Sequence, residues 1–230
     1  SITLLSGEPS SLSGYFRHPT GAGKTVLFGM MACLMNVKTV ILVPKINLLQ
    51  QTKEELEHLL GVDPHDIGLV GGGQDDSGKG KKILICTYQG HVMKMKRQDS
   101  YQKDINAAQL VICDEAHRSL GGATSAAVNA AVEVGEYDNT LTKEEEEAED
   151  EVLSSFSRYG GKAAALKLGF TATPALVKTH VEDAFDVCID EVRHDDMIRA
   201  GILVPYLLIQ SDGNVTELDI DTFRRQLRAL

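Results

Sequence analysis

The chain has no tryptophan, and aromatic residues make up only 5% of its 230 positions. Stacking on successive bases needs aromatic platforms, so this composition does not favour it as a binding mode. Cysteine is scarce too: Cys33, Cys86, Cys113 and Cys188, with no pair at C-x-x-C spacing. That argues against a zinc framework, and three of the four lie in apolar runs. They read as small buried hydrophobes in a reducing compartment. The longest apolar run, Val26 to Met35, is too short to span a bilayer. No charged-then-apolar leader opens the chain, so the expectation is a cytoplasmic protein without a membrane partner.

Positive charge is also in short supply. The formal net charge of −10 argues at first against nucleic acid as a partner. Its distribution changes that. The block "EVGEYDNTLTKEEEEAEDE" (133–151) holds ten acidic side chains and one lysine, so nine of the ten net negative charges sit there. The remaining body is nearly neutral. A like-charge run of this kind reads as a solvated loop or tail, with a nucleic-acid-mimicking or autoinhibitory flap as the sharper alternative.

What the chain has in quantity is short β-rich apolar runs alternating with helical patterns. Strands are expected at 14–18, 39–44, 67–70, 82–87, 110–114 and 166–171. Most are apolar without alternation, as befits strands covered on both faces. The clearest helix is 46–60, where Ile46, Leu49, Leu56 and Leu59 or Leu60 form one stripe. The rhythm predicts an α/β fold: a mostly parallel sheet with helices on both faces, whose ligands gather at the carboxyl ends of the strands. Two segments interrupt it. One is the glycine-rich polar loop "GGGQDDSGKGKK" (71–82), and the other is the acidic block continued through "LSSFSRYGGK".

Within this frame "HPTGAGKT" (18–25) is the most informative stretch. Gly21 and Gly23 allow a tight turn with N–H groups pointing inward. Pro19, Thr20, Gly21, Ala22, Gly23, Lys24 and Thr25 then form a loop that hands over to a helix N-terminus, a ready anion site. Lys24 adds a point charge for phosphates, and the Thr25 hydroxyl suits Mg²⁺. The match to G-x-x-x-x-G-K-[ST] is incomplete, because His18 stands at the first position. A plain glycine-rich turn is the competing reading. "LVICDEAH" (110–117) decides against it: a buried strand ends in Asp114, placed to hold Mg²⁺, and Glu115, placed to orient or deprotonate an attacking water. A helix start with acidic residues at the dipole would explain "DEAH" alone, but not the pair of motifs.

These residues resemble superfamily 2 helicases and translocases, nucleic-acid-dependent ATPases with a DEAH-type second motif. "PTGAGKT" is similar to their motif I, "VPKINLLQQ" (43–51) to motif Ia, "TYQ" (87–89) to motif Ib, "DEAH" to motif II and "TATP" (171–174) to motif III. "IRAGILVPY" (198–206) resembles the segment that leaves the first motor domain in the DNA-acting branch, which includes restriction-enzyme translocases and repair helicases. The resemblance implies a P-loop, RecA-like ATP-binding domain with ATP and Mg²⁺ as cofactors. It makes Lys24, Asp114 and Glu115 catalytic, makes Thr25 and Asp114 the metal ligands, and gives His117, Thr171 and Thr173 the coupling of nucleotide state to a neighbouring domain. It places nucleic acid, DNA rather than RNA, against Pro44, Lys45, Gly72, Thr87 and Gln89. The run "KMKRQ" (94–98) either adds charge there or is a solvated helix end.

The expected organisation is a motor domain over 1–206, with an acidic insertion at about 133–162, and a linker over 207–230 toward a second RecA-like domain. No Q-x-x-G-R-x-x-R pattern is present, and no glutamine precedes residue 50 to read adenine. Half a site predicts weak nucleotide binding and near-absent hydrolysis by this chain alone. The alternative is a nucleotide-gated binding or sensing module without motor activity. A small-molecule kinase explains Lys24 and Asp114 but not the order of the other motifs.

Overall fold

The structure, a computed structural model, describes residues 13–97, 99–120, 122–130, 165–173 and 180–203. The acidic block, "LSSFSRYGGK", Pro174 and the 207–230 linker lie outside them. The described elements run β1 (Ser13–Arg17), α1 (Lys24–Met35), β2 (Thr39–Val43), α2 (Ile46–Leu60), β3 (Ile67–Gly71), β4 (Gln74–Asp75) and β5 (Ile83–Thr87). They continue with α3 (Tyr88–Arg97), α4 (Asp99–Ala107), β6 (Leu110–Asp114), α5 (Gly122–Ala130), β7 (Leu166–Thr171), β8 (Val187–Glu191) and α6 (His194–Arg199). The strands form one eight-stranded sheet in the order β4-β3-β5-β2-β6-β7-β1-β8. Every pairing is parallel except the β3–β4 hairpin. The α/β architecture expected from the alternating pattern is therefore present, with all six anticipated strands.

The lack of alternation in the central strands has a direct cause. In β2, Val40 and Leu42 enter a core shared with Met95 of α3, Tyr101 and Ile105 of α4 and Ala127 of α5. Ile41 and Val43 enter the opposite core with Phe28 of α1 and Leu49 and Leu56 of α2. β5 and β6 divide their side chains in the same way. Each fully buried aliphatic side chain contributes about 1.5–3 kcal/mol, so covering both faces doubles what each strand stabilises. Three of the six phenylalanines lock the core on the α1 face of the sheet: Phe16 stacks on Phe170 at 4.7 Å, and Phe28 meets Phe170 edge-on at 5.4 Å. That contact seats α1 on β1 and β7.

Several expectations are corrected. The α2 stripe consists of Leu49, Thr52 and Leu56, with Leu60 packed at its end. Of the two alternatives at its end, Leu60 is the one that packs and Leu59 is exposed, while Ile46, at 60% exposure, is not on the stripe. A helix has room for only one apolar stripe facing the sheet, and Ile46 at the first turn lies instead beside Gly72, lining a surface cavity. The glycine-rich loop contains a hairpin: Val70 pairs with Asp75 and Gly71 with Gln74 across a two-residue Gly72–Gly73 turn. Both turn residues have positive φ (60° and 87°), as the twist of a type I′ hairpin demands. Because β4 intervenes, Asp114 ends the sixth strand rather than the fifth. Cys86 and Cys113 are buried as expected, but Cys33 and Cys188 are exposed. Cys33 lies on the outward side of an all-round apolar α1, and Cys188 on the edge strand β8. No described helix is long and apolar enough to cross a membrane.

Gly169 in β7 carries packing of functional consequence. A Cβ there would lie 2.9 Å from the Ala116 Cβ and 2.8 Å from the Phe185 ring. Ala116 opens the 3-10 turn that follows Glu115. Overpacking costs about 1–3 kcal/mol, more than alanine's small gain over glycine in a strand. Gly169→Ala is therefore expected to lower the urea midpoint at an unchanged slope, and a raised midpoint would show that this contact has slack.

Candidate functional site

β1 ends at Arg17, but His18 still follows β7, donating its N–H to the Thr171 carbonyl at 2.9 Å. The chain then turns. Gly21 (φ 84°) and Gly23 (φ 74°) take left-handed conformations, and Ala22 N–H closes on the Pro19 carbonyl at 3.2 Å. Gly23 also caps α1 without a side-chain hydrogen bond, and no acidic residue occupies the first turn. The orphan N–H groups and positive dipole end of α1 are thus left for an anion. Lys24 folds back over the loop, its side chain only 10% exposed. Its Nζ donates to the His18 carbonyl at 3.3 Å and stands 3.8 Å from Glu115 Oε1.

The acidic partner comes from β6, which lies between β2 and β7. Asp114 ends that strand, and the Tyr88 hydroxyl donates to its carbonyl at 2.9 Å. Glu115 sits at φ 49°, ψ 55°, one of two non-glycine residues with positive φ among those described. Such a conformation costs on the order of 1–3 kcal/mol and persists only where its surroundings enforce it. It turns the chain sharply, so both carboxylates face the phosphate loop. Glu115 N–H donates to Asp114 Oδ1 at 3.0 Å. Burial pushes the Asp114 carboxyl up to about 6, and the Glu115 charge adds to that while Lys24 opposes it. An acid so disfavoured as an anion is relieved by any cation brought to it.

His117 and the threonines form one network. The Thr171 hydroxyl donates to the Thr173 carbonyl at 2.9 Å and accepts from Thr173 N–H at 3.1 Å. With that proton committed, His117 Nδ1, 3.1 Å away, must be the donor to Thr171 Oγ1. Glu115 Oε2 lies 3.5 Å from the same nitrogen. Burial lowers the His117 pKa, and Arg118 and Lys24 push the same way against Glu115. The ring is therefore neutral at pH 7, a donor at Nδ1 with Nε2 left as an acceptor.

Lys24, Thr25, Asp114 and Glu115 open onto one cavity of about 380 Å³, which Thr20, Gly21 and Gly23 also line. Pro19 lies on a neighbouring cavity instead, and Ala22 faces neither. The far wall is Gln51 and Glu55 of α2, joined at 2.9 Å, which sequence reasoning missed. Their only signal was an i,i+4 polar pair on a helix whose start resembles motif Ia. The donor set suits Mg²⁺ with ATP. One hydroxyl and one carboxylate leave most coordination positions to water and phosphate, the usual habit of this ion. No cluster of three metal-ligating side chains occurs among the described residues.

A second cavity, about 490 Å³, lies at the carboxyl ends of β2, β3 and β5. It gathers Pro44, Lys45, Gly72, Thr87 and Gln89, all five residues singled out for nucleic acid, which lie far apart in the chain. Exposed Ile46 and Met93 also line it and were not anticipated. The Thr87 hydroxyl accepts Gly90 N–H at 3.0 Å, starting α3 at the cavity floor. Lys94 is tied to Asp75 at 2.5 Å, so it braces the β4 hairpin rather than standing free.

Comparison with known proteins places this geometry. The family model described as "Type III restriction enzyme, res subunit" matches residues 7–176. The DNA 3'-5' translocase XPB2 of Sulfurisphaera tokodaii is 36% identical over 99 residues, 43% of this chain and 20% of that protein. Among solved structures, the Pyrococcus furiosus Hef helicase domain superposes with a TM-score of 0.55 at 20% identity, over 80% of this chain and 35% of that one. The DUF1998 helicase MrfA gives 0.52 at 17% identity, over 79% and 27%. The chain spans no more than about a third of the length of these three relatives. It belongs to the family of type III restriction enzyme res subunits, with the RecA-like fold of the first domain of superfamily 2 helicases.

Proposed function

We propose that this chain is the ATP-binding half of a DNA-dependent motor, completed by a second RecA-like domain of the same parent protein. One observation carries the reading: Lys24 and Thr25 of one loop and Asp114 and Glu115 of another line a single cavity. The nucleic-acid candidates line a second cavity at the same edge of the sheet. The name of the translocase relative favours DNA.

Bound MgATP supplies the phosphoanhydride whose cleavage powers the cycle. Lys24 leaves the His18 carbonyl to neutralise phosphate charge, and the α1 N-terminus cradles the anion through its N–H groups. The Thr25 hydroxyl and Asp114 carboxylate would hold the metal, which would screen the phosphate charge. Glu115, turned inward by its left-handed backbone, orients the attacking water and takes its proton. His117 links Glu115 to Thr171 and Thr173, so a change at the carboxylate reaches the end of β7. The α2 helix starts in the second cavity and walls the first, which connects them rigidly. The second domain adds the arginine charge that this half does not contribute, over the same cavity.

Lys24→Ala removes a charge-assisted contact of about 1.5–3 kcal/mol, so Mg-nucleotide affinity should fall roughly 10- to 100-fold in a fluorescence titration. The unmodified chain alone should hydrolyse ATP very slowly with or without DNA, since an arginine supplied by a partner domain is worth ~10³–10⁵ in rate. Robust DNA-stimulated turnover that survives Lys24→Ala refutes the assignment of both site and domain.

Asp114 gives a prediction with opposite signs for stability and function. Its folded pKa, about 6, exceeds the ordinary 3.8, so the folded state binds the proton more tightly. Its favourable contribution is therefore present at low pH and is lost as pH rises from about 4 through 6. At pH 8 without metal, Asp114→Asn should stabilise the chain by about 1–2 kcal/mol, raising the melting midpoint by roughly 2–8 °C. The same variant should lose the stabilisation that Mg-nucleotide gives the unmodified chain. A lowered midpoint would mean that the carboxylate is not strained.

Lys45→Ala should weaken single-stranded DNA binding regardless of sequence and reduce the slope of log K against log salt by about 1. An unchanged slope removes Lys45 from the interface. Affinity for a protein partner with none for DNA would favour a sensing module over a motor.

A further inference from the structure

His18 is the one departure from the phosphate-loop pattern, and the mechanism above uses only its carbonyl. Its ring is buried at 6% exposure, edge-on to Phe16 at 5.8 Å, with Nε2 2.9 Å from Asp190 Oδ2 of β8. A glycine could make none of these contacts. The pairing of β8 with β1 is built to allow them. Tyr15 pairs with Cys188, but Phe16 pairs with Asp190, so Ile189 is an extra, bulged residue. Gly14 leaves room for it, since a Cβ there would lie 2.5 Å from Ile189 Cδ1. The one-residue slip moves Asp190 to the side of the sheet shared by Phe16 and His18, and sets Glu191 beside Arg17, 3.1 Å away.

β8 then runs on against the phosphate-loop strand, with Val192 N–H donating to the Arg17 carbonyl at 3.0 Å, and turns into α6. The segment after α6 folds back, with Ile202 and Leu203 N–H both reaching the Met197 carbonyl. Leu203 ends against the phosphate loop itself: a Cβ on Gly21 would lie 3.1 Å from Leu203 Cδ2. Residues 187–203 therefore touch the loop twice, at its root through Asp190 and at its crown through Leu203. A cavity of about 530 Å³, lined by His18, Pro19, Val192 and His194 among others, separates the arm from part of the loop.

We propose that residues 187–203 are an arm that reports nucleotide occupancy, with His18 and Asp190 as the positioning pair that couples it to the phosphate loop. The proposal rests on the nucleotide reading of the Lys24 cavity. Lys24 Nζ is anchored on the His18 carbonyl, while His18 N–H is anchored on Thr171. Transfer of Lys24 to a phosphate frees that carbonyl, and the ring carries the adjustment to Asp190. Any shift of Gly21 as the loop closes on an anion is passed to Leu203, which packs against it. Both contacts move the segment that resembles the exit from the first motor domain. The pair is no anchor of the fold, because Asp190 is 56% exposed and a hydrogen bond with one end in water adds little net stability.

The test is amide hydrogen exchange on the 230-residue chain, with and without Mg²⁺ and a non-hydrolysable ATP analogue, for the unmodified protein, Asp190→Ala and Leu203→Ala. In the unmodified chain the analogue should change exchange at least about fivefold both at residues 21–27 and across 187–203. Asp190→Ala should keep analogue affinity within about threefold and keep the response at 21–27, while losing most of it across 187–203. Leu203→Ala should reduce the response chiefly in 194–203. Binding without any response in the arm, or a full response in both variants, overturns the proposal and leaves the nucleotide site standing. Failure of the unmodified chain to bind the analogue overturns both. Should Asp190→Ala fail to fold, His18→Asn takes its place with the same expected loss.

Discussion

Three charges at the edge of the sheet cannot satisfy one another, and the rest of the structure is arranged to keep them so. Lys24 stands 3.8 Å from Glu115, beyond a close hydrogen-bonded pair, and instead rests on a backbone carbonyl. Asp114 is held by burial and by Glu115 in a state that resists ionisation. A tightly closed lysine–carboxylate pair would be more comfortable and would have to be broken by every ligand. The looser arrangement suits the proposed ligand, because a metal–phosphate complex brings charge of both signs to the lysine and the acids together.

Maintaining that state depends on the packing beneath it. The stacked and edge-on phenylalanines hold α1 against β1 and β7, on either side of the turn through residues 18–23. Ala116, pressed on Gly169, holds the turn that keeps Glu115 in its left-handed conformation. The Tyr88 hydroxyl on the Asp114 carbonyl ties the tip of β6 to the start of α3, which also borders the second cavity. The two cavities thus share walls: α2 spans both, and α3 begins under one while bracing the acid of the other.

Much of this was legible in the chain. Continuous apolar strands required cover on both faces, and the six long strands follow from that alone. The loop chemistry of 18–25 and the paired acids at 114–115 were visible because each needs particular residue types at fixed spacing, whatever the surroundings. Elements held by tertiary contact were not visible. β4 is two residues long and exists through a Gly–Gly turn that reads equally well as a loop. β8 is exposed along its length and owes its register to a bulge that only Gly14 and Ile189 explain together. Cys33, Cys188 and Ile46 were misjudged because local apolar surroundings do not reveal which side of a helix or strand the sheet will occupy.

By itself, then, the sequence determined the alternating α/β plan, the glycine-rich turn into α1 and the acidic strand end, since backbone freedom, hydrogen-bonding capacity and charge are properties of the residues themselves. Only the tertiary structure decided that Gln51 and Glu55 face the same cavity as Lys24, that five scattered residues line one groove, and that His18 reaches Asp190 across the sheet edge. Those are matters of distance between segments remote in the chain. They are settled by strand order and register, which follow from how the whole core packs.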